Sequence, residues 1–174
     1  MGLTLLLGGA RSGKSALALR RAAETGAPVV FIATAEALDA EMEARIARHR
    51  AERDPSWTTI EAPLDLQGAL ADAPAGACVL VDCLSFWLAN LLQSGELGEG
   101  EILARAAAAA TLACRREGST IAVSNEVGMG IVPEYELGRR YRDLLGRVNA
   151  TWAERAEEAL LVVAGRRLRL EAVQ

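Results

Sequence analysis

The chain has 174 residues, 51% of them hydrophobic, which is enough for one domain spanning 1–174 with a substantial core. A formal net charge of -4 and a pI near 5.2 argue against partnership with nucleic acid or an anionic membrane, because both select a basic surface. Cys78, Cys83 and Cys114 are odd in number and form no CxxC pair, so buried structural thiols in a reducing cytoplasm are expected.

Leu3 to Leu7 is a short apolar run with no basic residues before it, so it reads as a buried strand rather than a secretory signal. It leads into Gly8-Gly9-Ala10-Arg11-Ser12-Gly13-Lys14-Ser15 and then into an alanine- and leucine-rich helical segment, Ala16 to Ala23. Strand, glycine-rich loop and helix is the context in which GxxxxGK[ST] identifies a phosphate-binding loop. Glycines let successive amide N–H groups turn inward, and the helix adds the positive end of its dipole. Lys14 would then reach the β- and γ-phosphates of a nucleoside triphosphate, and the Ser15 hydroxyl would ligate Mg²⁺.

Thr25 to Pro28 is a turn, and Val29 to Ala33 reads as a second buried strand. Leu38 to Arg53 is predicted helical, with Asp39 as N-cap and Asp54-Pro55 as the stop. Ser56 to Ile60 reads as a short strand, and Leu66 to Ala71 as a short helix within an irregular stretch. Cys78 to Asp82 is an apolar run ending in a carboxylate, the pattern of a central parallel strand with a functional tip. Helices are expected over Leu84 to Leu92 and Glu101 to Glu117, followed by a strand from Thr120 to Ser124. A long helical region, Glu134 to Glu158, places Tyr141, Leu144, Leu145, Val148 and Trp152 on one face. Leu160 to Ala164, Gly165 and Arg167 to Leu170 form a terminal hairpin with one antiparallel strand. Alternating strands and helices predict an α/β fold with a mostly parallel sheet and ligands at the strands' C-terminal ends. No stretch is long and apolar enough to span a membrane.

Several positions bear chemistry, each with a bland alternative. Asp82 is a Mg²⁺ ligand or an ordinary strand-end helix cap. His49, the single histidine, is a partly buried ring at the edge of an apolar stripe, or a neutral imidazole able to attack phosphorus beside a bound triphosphate. Arg45, Arg48, Arg50 and Arg53 are a solvated helix face balanced by Glu41, Glu43 and Glu52, or a phosphate grip. Glu61 is a surface acid or an acceptor for a base or ribose. Trp57, Trp87 and Trp152 are expected in the core or at subunit contacts, and Gly128 and Gly130 where the backbone approaches a ligand or neighbouring chain.

Taken together, the phosphate-binding loop, Phe31-Ile32-Ala33-Thr34-Ala35, Glu41-Met42-x-x-Arg45-Ile46-x-x-His49-Arg50, Trp57-x-Thr59-x-Glu61, Val81-Asp82-Cys83-Leu84 and Ser124 to Pro133 resemble a known family. It is the bifunctional adenosylcobinamide kinase / adenosylcobinamide-phosphate guanylyltransferase family of cobalamin assembly. The resemblance covers essentially the whole chain, and the histidine helix and the Asn125 to Pro133 stretch are its most specific parts. It implies a RecA-like P-loop fold, a homotrimer, and two activities. ATP or GTP phosphorylates adenosylcobinamide, and GMP then passes from GTP to adenosylcobinamide phosphate through a guanylylated histidine, giving adenosyl-GDP-cobinamide. On this resemblance His49 and Lys14 are catalytic. The nucleotide-binding positions are Gly8, Gly9, Ala10, Arg11, Ser12, Gly13, Lys14, Ser15, Ala33, Thr34, Ala35, Arg50, Ala51, Glu52, Arg53, Glu61 and Asp82, and Mg²⁺ falls to Ser15 and Asp82. Some relatives have two adjacent histidines where this chain has Arg48-His49, which leaves one candidate nucleophile. Rival classes are a simple small-molecule kinase with a structural His49, a GTP-dependent switch, which lacks an NKxD motif here, and a nucleic-acid ATPase, which the acidity disfavours.

Overall fold

The computed structural model describes residues 2–173. Seven strands form one sheet: β1 (Leu3–Gly8), β2 (Val29–Ala33), β3 (Thr58–Glu61), β4 (Cys78–Asp82), β5 (Thr120–Asn125), β6 (Glu158–Val163) and β7 (Arg166–Leu170). Their order is β3-β2-β4-β5-β1-β6-β7, parallel except for the β6–β7 hairpin. Helices α1 (Lys14–Glu24), α2 (Ala40–Ala51), α3 (Leu66–Asp72), α4 (Leu84–Ser94), α5 (Glu99–Arg115) and α6 (Glu136–Ala153) connect them.

The central strands read as unbroken apolar runs because both sheet faces are covered. Successive side chains alternate between two cores. Leu5, Ile32, Val79, Val81 and Ala122 pack with α3, α4, α5 and α6, while Leu6, Phe31, Leu80, Ile121 and Val123 pack with α1 on the other face. Trp87 and Trp152 are buried in the larger core, and Trp57 lies against the smaller one. Truncating a side chain such as Leu80 or Leu5 here would cost about 2–5 kcal/mol.

Two expectations need correction. The helical region expected to reach Glu158 ends at Ala153, and Glu158 opens β6. The Glu157 amide donates to the Leu3 carbonyl at 2.8 Å, so pairing with β1 captures the chain before the helix can continue. Cys114 is exposed, unlike buried Cys78 and Cys83, because it faces outward on α5. Within the chain itself Gly128 and Gly130 adopt ordinary backbone. Neither has positive φ, and a Cβ on Gly128 would meet only the Glu126 carboxylate, a movable side chain.

The hairpin turn supports the phosphate-binding loop directly. Ala164 and Gly165 both have positive φ, as a two-residue hairpin turn requires, and the Gly165 amide donates to the Ser12 carbonyl at 2.9 Å. A Cβ on Gly8 would come within 2.4 Å of the Val162 carbonyl oxygen and 2.7 Å of Ser12 Oγ. Gly8→Ala is therefore expected to push the loop off β6, lowering stability by roughly 1–3 kcal/mol and weakening nucleotide binding more than tenfold. Thermal unfolding with and without nucleotide would check this, and an unchanged affinity would contradict it.

Candidate active site

The C-terminal ends of the parallel strands converge. Gly8 ends β1, Ala33 ends β2, Glu61 ends β3, Asp82 ends β4 and Asn125 ends β5. Above them lies α2, N-capped by Asp39, whose side chain accepts from the Met42 amide at 2.7 Å. None of the described α2 residues is buried, so little packing holds this helix down.

Helical periodicity gives α2 three working faces. Met42, Arg45, Ile46 and His49, with Arg53 just past the helix end, look onto a tight central cavity of about 60 Å³, whose other walls include Lys14, Ser15, Asp82 and Asn125. Glu41, Arg45, Arg48, His49 and Glu52 face a cleft of about 600 Å³ over Ala10, Arg11, Ser12, Gly13, Lys14 and Ser15. Glu43, Ala47, Arg50 and Arg53 face a second cleft of about 550 Å³ against Ala33, Ala35 and Glu61. The four arginines expected as one cluster are thus divided, and only Arg45 and Arg53 reach the cavity between the two clefts.

His49 belongs to both the loop cleft and the central cavity, and its ring is about one-third exposed, at 31%. Its Nδ1 lies 3.9 Å from Asp82 Oδ2, so Nε2 is the ring nitrogen turned away from that carboxylate. Lys14 is nearly buried, and its Nζ donates to the Gly9 carbonyl at 3.0 Å. Burial is the main cause that depresses its ammonium below the ordinary lysine value, partly offset by Asp82.

The Arg53 guanidinium carbon lies over the Phe31 ring, 3.5 Å from its centroid. Its Nε and Nη1 find no hydrogen-bond partner among the described residues, and burial lowers its pKa. A desolvated, under-bonded guanidinium facing a cleft is a ready anion site. Arg50 donates to Glu61 at 2.8 Å in the open, where such a pair contributes little stability. Ala51 is exposed.

The Thr34 side chain is engaged within the protein. It is fully buried, and its hydroxyl donates to the Cys83 carbonyl at 2.7 Å and accepts from the Cys83 amide at 2.8 Å. Its side chain clasps the tip of β4, while Ala33 and Ala35 line the clefts. Asn90 donates to the Thr34 carbonyl at 2.8 Å, and Cys83 Sγ lies 2.9 Å from Ser85 Oγ.

Burial, reinforced by Asp82, pushes the Cys83 thiol up from 9.0 to about 11. The folded state therefore holds this proton more tightly than the unfolded chain. Stability from it is complete below pH 9 and is lost as pH rises toward 11, on the order of 2–3 kcal/mol in all. Chemical denaturation across that range should show a shallower alkaline decline in Cys83→Ala than in the parent protein.

Cys83, Phe86 and Asn125 line the central cavity and were missed as individual site residues. Only their closeness to a strand end marked them in the sequence. Ser15 and Asp82 supply a hydroxyl and a carboxylate to one cavity, a hard-oxygen pair of the kind that suits Mg²⁺ when phosphates and water complete the shell.

Comparison with known proteins settles the lineage. The family model described as cobinamide kinase / cobinamide phosphate guanyltransferase matches residues 4–170. The chain belongs to this family. A bifunctional adenosylcobalamin biosynthesis protein, CobP, of Pseudomonas aeruginosa PAO1 is 51% identical over 92% of each chain. The corresponding protein CobU of Escherichia coli K12 is 39% identical over 94% of this chain and 96% of its own. Among solved structures, a Pyrococcus horikoshii OT3 protein aligns with TM-score 0.59 at 10% identity, covering 99% of this chain and 87% of that one. An ATPase of a bacterial type III secretion system aligns at 0.56 and 11% identity, covering 92% of this chain and 50% of its own. At such identities the likeness shows the fold alone, and it is the RecA-like P-loop fold that the sequence predicted. Among the described residues no helix is long and apolar enough to cross a membrane.

Proposed function

We propose that this chain, as one domain over residues 1–174, catalyses both steps of its family. It phosphorylates the aminopropanol hydroxyl of adenosylcobinamide with ATP or GTP, then transfers GMP from GTP to the resulting phosphate through His49. The observation carrying this reading is the position of His49, shared between the cleft of the phosphate-binding loop and the cavity that holds Asp82. A side chain placed between those two spaces could reach a triphosphate held by the loop.

In the first step the alcohol oxygen bonds to the γ-phosphorus as the bond to the bridging oxygen breaks. In the second, His49 Nε2 attacks the α-phosphorus of GTP and pyrophosphate leaves. A phosphate oxygen of adenosylcobinamide phosphate then displaces the imidazole. Asp82, facing Nδ1, would stabilise the positive charge that develops on the ring as Nε2 is phosphorylated. Lys14 and the loop amides hold the polyphosphate. Arg50, Arg53 and Glu61 line the second cleft, which suits the nucleoside end. Mg²⁺ on Ser15 and Asp82 would neutralise charge on the transferring and leaving oxygens.

The central cavity is too tight for a triphosphate, and α2 has no buried anchor. The helix therefore lifts to admit nucleotide and settles with His49 on the α-phosphorus. Arg45 and Arg53 replace bonds lost to water with bonds to phosphate.

The acting form is a homotrimer, in a reducing, nucleotide-rich compartment such as the cytoplasm that suits three unpaired thiols. An apolar ridge with Met129, Ile131 and Tyr135 strongly exposed offers a subunit contact. Sedimentation of the parent protein as a monomer at micromolar concentration would dismiss the trimer.

Incubation with α-labelled GTP tests the transferase. The expected result is one acid-labile, base-stable label per site, released on adding adenosylcobinamide phosphate. A protein that turns over GTP with corrinoid yet never takes up label would leave only a kinase.

A further inference from the structure

Helix α4 turns an unusual face outward. Its inner side buries Leu84, Trp87, Leu88 and Leu91, which leaves Phe86, Ala89, Leu92 and Gln93 on the other side, at the i, i+3, i+6, i+7 spacing of one stripe. The outward stripe of a surface helix is ordinarily polar, yet three of these four side chains are apolar. One end of the stripe stands in the central cavity, where Phe86 is a wall and its ring centroid lies 5.6 Å from the Arg45 guanidinium carbon. The other end opens into a groove of about 530 Å³ lined by Ala89, Leu92, Gln93, Tyr135, Leu137 and Tyr141. At about 1.5 Å of rise per residue, Ala89 and Leu92 lie roughly 5 and 9 Å along the helix from Phe86.

The groove differs in kind from the clefts beside α2. Charged residues line those, Glu41, Arg45 and Arg48 in one and Arg50, Arg53 and Glu61 in the other, which suits a nucleotide. Among the described residues, none that lines the groove is charged. Burial pushes the Tyr141 phenol up to about 12, so that wall stays neutral as well. The Tyr141 hydroxyl donates to the Ser85 carbonyl at 3.2 Å, which ties the groove to the residue next to Phe86. Group transfer needs nucleotide and acceptor in place together, so the acceptor's bulk must lie outside both nucleotide clefts while its reacting end reaches the cavity. A large apolar acceptor calls for apolar walls with a few polar groups to orient it.

We propose that this groove seats the macrocycle of the corrinoid acceptor in both steps, so that its hydroxyl- or phosphate-bearing arm runs along the α4 stripe past Phe86 to the reacting phosphorus. The inference rests on the two-step reading above and gives the acceptor its place within it. Leu92, Tyr135 and Leu137 pack against the apolar face of the macrocycle. The Gln93 amide, which both donates and accepts, meets its peripheral amides. A central cavity of about 60 Å³ is far too small for a macrocycle, so only the arm enters it. Tyr135 also belongs to the exposed ridge with Met129 and Ile131, and its ring stands where the groove meets the proposed subunit contact.

Two variants of the full-length protein test the groove. Leu137→Glu puts a carboxylate into it and Ala89→Trp fills it, and neither position is buried, so no core cavity opens. Equilibrium dialysis against adenosylcobinamide should show binding at least about tenfold weaker in each variant, because a charge or a bulky ring takes the place of the macrocycle. In the kinase assay KM for adenosylcobinamide should rise at least about tenfold while KM for ATP stays within about twofold. Labelling of His49 by α-labelled GTP without corrinoid should match the parent within about twofold, since the nucleotide clefts are untouched. Both variants should sediment as the parent does. Corrinoid binding unchanged in both variants overturns the assignment. So does an altered sedimentation, which would show a second copy of the chain covering the groove. The parent arm separates the two failures. A parent protein that neither binds nor phosphorylates corrinoid removes the functional reading itself, whereas an active parent whose variants bind corrinoid as tightly removes only the groove.

Discussion

His49→Ala is expected to divide the two activities. Guanylyl transfer should fall by at least about 10⁴-fold, since removal of a covalent nucleophile leaves only binding and electrostatic stabilisation. Phosphorylation of the corrinoid should stay within roughly tenfold of the parent rate, because the γ-phosphorus is attacked by the substrate's own hydroxyl. The substitution should not unfold the protein. His49 is one-third exposed on a helix without buried residues, so its loss opens no core cavity. The decisive measurement is the ratio of the two rates in one preparation. A variant that still transfers GMP at a tenth of the parent rate would mean that the acceptor attacks GTP directly.

Lys14→Met is expected to remove both activities, each by about 10²–10³-fold in kcat, while the fold becomes no less stable. On the proposed mechanism the ammonium neutralises charge on the β- and γ-phosphates, which matters whether the γ-phosphoryl group is transferred or pyrophosphate departs. In the free protein it is nearly buried, its charged form is disfavoured by desolvation, and its hydrogen bond reaches only the Gly9 carbonyl. The sign follows from the lowered pKa. Folding opposes this charge at neutral pH, and the opposition fades as pH rises toward the ordinary lysine value of 10.5. A methionine of similar length removes a desolvated charge and keeps the packing. Thermal unfolding at pH 7 should therefore show an equal or higher midpoint. A midpoint lower by more than a few degrees would show that the lysine serves the fold as well as the chemistry.

Much of the site could be read from local pattern. Gly8 to Ser15 were legible because a phosphate-binding loop is one contiguous segment between a strand and a helix. Asp82 was legible because an apolar run that ends in a carboxylate marks the tip of a central strand. Asn125 was not. Its strand and motif were visible, but its place between Gly8 and Asp82 depends on β5 inserting between β1 and β4. Thr34 shows another limit, since its hydroxyl bonds to Cys83, forty-nine positions away, a contact that no local pattern marks. The arginines of α2 were visible as a cluster, while their division between two clefts required knowing which strands lie beneath the helix.

By itself, the sequence determined the alternation of strands and helices, the phosphate-binding loop, the single imidazole and the family, because each of these is written in spacings of a few residues or in motifs kept in order. The tertiary structure alone decided that His49 faces Asp82, that Arg53 stacks on Phe31 with unpaired nitrogens, and that the β6–β7 turn buttresses the loop. Those relations join residues far apart in the chain. They follow from strand order and side-chain direction, which only the closing of the whole sheet specifies.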